Sequence, residues 1–453
     1  MPRSAVAPAR AIPCPPTGGR RLWWLGPAFL WMLSSTGTGE LLFTPRVAAL
    51  YGYTLLWALL AAVALKWFIN REIGRFSVCT GATILEGFAR LPGPRNWALW
   101  LILAPQFIVA IVTVAGMAGA AATAAILVTG GSIAIWMSAI VIVGAAIVLL
   151  GGYGAVEKLA VVLGVALSLA VLAAAISVFP EPESLARGLV PQLPPGLNVG
   201  EVLPWLGFML AGAAGLMWFS YWIEARGYGS AGLRASDPID PAALPLPERL
   251  RLRGWVTLMT ITNTLAVVGA LTMALAFLIL GGELLRPHGL VPAEEQMAAV
   301  LGRLLGDVWG PVGFWFMIGA VFVIFCSTTL SVQDGFGRMF GDGLRLLGEH
   351  HGGRWTDEAF LRRTFTLTAL MALPVLLYQA VGKPVVLLQI AGATEAAHIP
   401  IVTVLTLYLN HRALPIELQP TLVAFWGTAV AAGFFAVFAI LYLLQLLGVF
   451  GTE

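Results

Sequence analysis

The chain has 453 residues, of which 59% are apolar and 11% charged, with a formal net charge of +3 and a mean hydropathy of +0.87. An ordinary soluble domain is about 45–50% apolar and about 25% charged, so this composition excludes a soluble enzyme, a secreted disulfide scaffold and a disordered chain. The weak net charge leaves no nucleic-acid footprint, and Cys14, Cys79 and Cys326 lie too far apart for a CxxC pair, a disulfide framework or a zinc site.

Residues 1–22, rich in Pro, Ala and Arg, are expected to form a flexible cytosolic tail. Eleven apolar segments follow, near 23–50, 53–76, 97–128, 131–151, 154–178, 201–225, 253–282, 310–333, 363–382, 385–409 and 417–448. A membrane helix takes about 20 residues, and these runs are too long and too uniformly apolar for barrel strands. They predict an all-α polytopic membrane protein with eleven transmembrane helices. Residues 227–252 read as a linker between spans six and seven. Residues 283–309 read as an outer loop with an amphipathic stretch near 293–305 lying on the surface.

Of the 26 Lys and Arg residues, twenty fall in alternate segments on one side of the expected membrane. Four, Arg187, Arg286, Arg303 and Lys383, fall on the other, and Arg46 and Lys66 lie within spans. Basic residues stay on the cytoplasmic side, so the N-terminus is expected inside. The odd number of spans then places the C-terminus outside.

Two spans are expected to be broken. The first contains Gly37-Thr38-Gly39-Glu40 at mid-membrane, and the sixth runs from Gly212 through Gly215 to Glu224 and Arg226. Gly costs about 1 kcal/mol relative to Ala in a helix, and backbone freed in lipid must face protein or a wet cavity. Spans one and six occupy matching positions in two five-span halves, the pattern of a secondary transporter built as an inverted repeat. Glycines that merely let helices pack closely are the alternative.

Ionisable residues inside spans mark candidate sites, because each costs about 3 kcal/mol or more. Glu40, at the first break, is the foremost, as ion ligand or proton carrier. Its alternative role is to cap the outer half-helix. Lys66 lies in the middle of span two. Its ammonium is expected to pair with Glu40 or Glu224 and stand in for a cation, or to hold an anion, or to make a structural ion pair. Glu395 and His398 lie three residues apart on one helix face in span ten, near Gln389 and Thr394, where they can exchange a proton or simply join helices by hydrogen bonds. Glu224 is a further relay candidate. Arg226 and Arg46 read as interfacial anchors, and Asp334 as a capping or pairing group. Trp218 and Trp222 fall beside the second break and are expected to narrow or dry it.

These residues bring a resemblance. Gly26-Pro27, Tyr51-Gly52-Tyr53, Leu55-Leu56-Trp57, Arg75 and Thr80-Gly81 resemble the first two spans of the NRAMP family of divalent-metal transporters. Gly212-Ala213 and Tyr221 resemble its sixth span, and Ser327-Thr328-Thr329 its eighth. The likeness covers most of residues 23–410. It implies two inverted five-helix repeats, 23–178 and 201–409, with residues 417–448 as an additional eleventh helix. The family's Asp-Pro-Gly-Asn turn is matched by Gly37, Thr38, Gly39 and Glu40, so the aspartate is gone. Its span-six carbonyl matches Ala213, its methionine ligand Leu216 and its histidine Trp218, with Met217 one place along. Its acidic residues of span three are matched by Gln106, Thr113 and Gly116.

Loss of both sulfur and aspartate points away from soft transition metals. The expectation is a divergent branch of the family: a secondary transporter moving a hard divalent cation, held by Glu40 and carbonyls near Gly37, Thr38 and Ala213. A small anion such as bicarbonate, drawn by Lys66 and half-helix N-termini, is the alternative. A non-transporting receptor or scaffold is a second. No P-loop or nucleophile elbow is present, so no catalytic residue and no cofactor is implied. The expected partners are a small inorganic ion and the lipid bilayer, in a bacterial plasma membrane.

Overall fold

The computed structural model describes residues 11–21, 24, 37–151, 153–233 and 238–449. The described parts of the long apolar segments are mainly helical, and no strand occurs among the described residues. A helix satisfies its own backbone amides, which lipid cannot do.

A π-helical stretch, Thr38–Phe43, runs directly into α1 (Thr44–Tyr51). Then follow α2 (Leu56–Thr80), the short α3 (Ile84–Ala89), α4 (Trp97–Thr129), α5 (Ile133–Leu150), α6 (Tyr153–Ser177) and the short α7 (Pro182–Gly188). Span six consists of α8 (Val199–Phe208) and α9 (Ala213–Arg226). It is followed by α10 (Leu246–Leu280), α11 (Met297–Gly348), α12 (Glu358–Leu367), α13 (Leu373–Val381), α14 (Pro384–Ala413) and α15 (Leu422–Leu446). The first half of span one, residues 25–36, lies outside the described residues, with the Gly26-Pro27 motif.

Eight helices among the described residues are long and apolar enough to cross a membrane. They are expected spans three, four and six to eleven. Span five is α6, bent by 111° into α7. Span two is α2, whose 25 residues are long enough but include Lys66, Arg71, Glu72 and Arg75. Of span one, Trp24 and the part from Gly37 onward are described.

α11 is two helices in one. Trp309 and Gly310 leave helical geometry, Gly310 at a φ of +64° just before Pro311, a conformation that glycine adopts without strain. The stretch expected on the surface near 293–305 is therefore a helix, and its Leu301, Leu304 and Leu305 are fully buried. Span eight runs on to Gly348 rather than ending near 333. The short α3 after span two and this short helix after span seven sit at opposite ends of the molecule, as an inverted repeat requires.

The described part of the tail, expected to be flexible, and the linker are both docked. Ile12 is fully buried, its N–H donates to Glu248, and Arg251 and Trp255 donate to the carbonyls of Ile12 and Pro13. In the linker, Ser230 Oγ donates to the Cys79 carbonyl and the Ile239 N–H to the Thr80 carbonyl.

α2 packs against α9, α10 and α15, while α14 packs against α4, α8 and α15. The α8–α9 pair is thus held between α2 on one side and α14 on the other.

Candidate functional site

The break in span six lies at Met209–Gly212, between α8 and α9. The glycine expected to break it, Gly215, sits inside the first turn of α9. Leu210 holds the break open with a φ of +65°, a conformation that costs a non-glycine residue about 1–3 kcal/mol. Such a break strands the last carbonyls of one helix and the first amides of the next. Inside a bilayer each of these groups needs a partner.

Lys66, fully buried on α2, partners the carbonyls. Its ammonium donates to the carbonyl oxygens of Leu206 at 2.9 Å, Gly207 at 2.7 Å, and Met209 and Ala211 both at 2.6 Å. Its charge also lies over the ring of Phe435 of α15, 5.3 Å from the centroid. Lys66 therefore makes none of the ion pairs expected of it: no carboxylate lies within 4.0 Å among the described residues. The carbonyls were not foreseeable, because their convergence depends on where the helix unwinds. An ammonium has three donors, and here four acceptors share them, which leaves none for an anion.

Two carboxylates partner the amides. Glu40, fully buried, accepts from the Leu210 N–H at 2.9 Å and from the Gly37 N–H at 3.3 Å. It caps its own helix, as its alternative role anticipated, and it also bridges to span six. Glu395 of α14 accepts from the Ala214 N–H at 3.1 Å and from Gln106 of α4 at 3.2 Å. The approach is close on both flanks. A Cβ on Gly39 would come within 2.7 Å of the Phe208 carbonyl oxygen, and one on Gly212 within 2.6 Å of Glu395 Cδ.

Gln106 also reaches His398 Nδ1 at 2.8 Å, whose Nε2 has no hydrogen-bond partner among the described residues. Glu395 and His398 are thus joined through a glutamine of span three, a position where the sequence pointed only to lost acids. Thr38 is buried and its hydroxyl has no partner among the described residues, and the same holds for Thr113.

Other expected site residues lie elsewhere. Ala213 is the first residue of α9, so its carbonyl is not among the four that the break frees. Leu216 is buried one turn on. Trp218 packs edge-on against Phe336 at 5.0 Å, and Trp222 stacks on Phe219 at 5.6 Å, both on later turns of α9 and not in the break. Glu224 is exposed, eleven residues beyond Ala213 and about 16 Å further along the helix axis. It is separated from Glu395 and His398, so the three do not form one relay.

The two ends of the molecule differ. At the arginine-poor end, Arg46 holds Glu201 of α8 through two hydrogen bonds of 2.7 and 2.8 Å and donates to the Pro292 carbonyl. Tyr53 donates to Glu283 at 2.8 Å. Toward the arginine-rich end, Tyr221 and Thr83 both donate to buried Asp342, which also pairs with Arg345. Burial, and then Asp342, raise the neighbouring Glu86 carboxyl above the ordinary range. Beyond lies a cavity of about 480 Å³ lined by Tyr221, Glu224, Arg338, Glu358 and Arg362. Asp334, expected to cap or pair, pairs with Arg338 and Arg362.

Among the described residues no three His, Cys, Asp or Glu side chains come together as a metal cluster. The carboxylates that reach the break are Glu40 and Glu395.

The sequence profile described as natural resistance-associated macrophage protein-like matches residues 28–445. An uncharacterized protein of Pasteurella multocida is 24% identical over 383 residues, 81% of either chain. The divalent metal cation transporter MntH of Yersinia enterocolitica is 30% identical over 96 residues, 20% of this chain and 24% of its own. Among solved structures, a manganese transporter variant of Eremococcus coleocola superposes with a TM-score of 0.68 at 14% identity, covering 97% of this chain and 90% of that one. A nucleobase-cation-symport-1 family transporter superposes with a TM-score of 0.50 at 13% identity, covering 98% and 97%. The fold, an all-helical bundle with inverted repeats and a sixth span broken at Met209–Gly212, is that of membrane transporters. The chain is an integral membrane protein and belongs to the natural resistance-associated macrophage protein (Nramp) family.

Proposed function

We propose that the protein is a secondary transporter that moves a small, hard divalent metal cation by alternating access, with Glu40 as its principal anionic ligand. The observation that carries this reading is a carboxylate fully buried at the crossing of two spans, without an ion-pair partner among the described residues. Buried charges are ordinarily paired, and a divalent cation would pair this one. Glu395 flanks the same break, so two carboxylates and one ammonium leave a formal deficit of one positive charge. Glu40 would bind through carboxylate oxygens, which suit hard ions, and Leu216 stands where the family carries a thioether. Relatives named as manganese or divalent metal cation transporters support the cation class. The saturated Lys66 weighs against an anion.

In this reading residues 23–178 and 201–409 are the two repeats. Arg46–Glu201 and Tyr53–Glu283 form the closed outer gate, and the cavity beside Glu224 is the inner vestibule. The arginine-rich end faces the cytoplasm of a bacterial plasma membrane.

The test is uptake of magnesium, calcium and manganese by proteoliposomes containing the wild type or Glu40→Gln, which keeps the acceptor for Leu210 and removes the charge. Wild-type uptake that falls at least about tenfold in the variant, a loss of some 1.4 kcal/mol, is expected. Divalent uptake unchanged by Glu40→Gln, or no divalent uptake by the wild type, would overturn the reading.

A further inference from the structure

The carbonyl oxygens of Leu206, Gly207, Met209 and Ala211 all point at one spot, 2.6–2.9 Å from Lys66 Nζ. Four neutral oxygens converging in a dry interior make a cation site, because they replace a hydration shell without adding charge. Their neutrality matches a single positive charge. Their spacing is that of N–H···O bonds to an ammonium. Phe435 adds a ring face at 5.3 Å, a further feature of sites that hold an ammonium.

We infer that these four carbonyls form a monovalent-cation site, sized for ammonium or potassium, which the chain fills with its own Lys66. An ion that would otherwise have to be bound from solution is tethered to α2. The tether has two consequences. The break in span six is held without a free monovalent ion, so neither stability nor transport in the wild type depends on sodium or potassium. Lys66 also ties the break to α2 and α15, so the eleventh helix takes part in the site and is not an appendage.

The inference predicts chemical rescue. Lys66→Ala leaves the cage empty, with room where the side chain lay. In detergent the variant is expected to melt lower than the wild type by about 3–5 °C, a shift scaled to the unfolding entropy of a chain of this size. Ammonium, methylammonium or potassium should restore at least half of that loss, since a ligand that binds only the folded state raises its stability. Tetramethylammonium at equal ionic strength, which has no N–H and is too large, should restore none. The wild type should respond to none of them.

Melting reads the site without any transport, so it stands apart from the identity of the transported ion. The inference fails if Lys66→Ala or Lys66→Met melts with the wild type, if tetramethylammonium rescues as well as ammonium, or if the wild type itself requires sodium or potassium. Should Lys66→Ala yield no folded protein in plain buffer, preparation in ammonium decides. Folded protein obtained only there supports a vacated cation site, and none in either condition overturns it.

Discussion

Lys66, Glu40 and Glu395 each take charge of backbone that span six sets free at Met209–Gly212, the lysine holding carbonyls and the glutamates holding amides. A buried amide without a partner costs about 1–3 kcal/mol, so these side chains have a structural duty whatever else they do. Glu395→Gln separates duty from charge: its amide oxygen can still accept from Ala214. The expected outcome is a melting temperature within about 3 °C of wild type and cation uptake reduced severalfold in proteoliposomes. Arg46 and Glu201 are a second residue-scale case, with side chains 12% and 15% exposed. Arg46→Ala, Glu201→Ala and the double variant, unfolded by denaturant, should give a coupling energy of about 1–3 kcal/mol. No coupling would show that the pair does not fasten α1 to α8.

At the scale of elements, α8 and α14 touch backbone to backbone. A Cβ on Gly207 would lie 2.0 Å from the Gly392 carbonyl oxygen, and backbone cannot yield as a side chain can. Gly207→Ala should therefore spread the two helices, costing about 3 kcal/mol or more, read as lost folded yield and a lowered melting temperature. Gly433 of α15 has nothing within 4 Å of its would-be Cβ. Gly433→Ala should leave the fold intact and stabilise it by about 0.4–1 kcal/mol, through the unfolded chain. The same contrast explains what was legible. The glycines at 37 and 39 are visible in sequence, and from Thr38 the described part of span one runs on as helix without interruption. The break in span six was misplaced at Gly215, since the residue that turns there is Leu210, and a leucine carries no mark of a left-handed φ.

For the whole molecule, the two ends differ. One is fastened by Arg46–Glu201 and Tyr53–Glu283, and the other opens into a cavity of about 480 Å³ beside Glu224. With Cys14 replaced by serine, Glu224→Cys should react with a membrane-impermeant maleimide only from the arginine-rich side. If that side is cytoplasmic, labelling occurs in inside-out vesicles and not in intact cells. Labelling in intact cells would reverse the proposed orientation.

The long apolar helices and the family could be read from sequence, because hydrophobic length and short motifs are local properties of the chain. Glu40 and Lys66 also declared themselves, since an ionisable residue inside an apolar run has few other reasons to be there. Their partners did not. The bonds from Lys66 to four carbonyls, the Gln106 link from Glu395 to His398, and the grip of Asp342 on Tyr221 and Thr83 join residues up to 292 positions apart. Backbone oxygens carry no signature in any side-chain alphabet. Only the packing of α2, α4 and α14 around an unwound turn decides which of them face a charge.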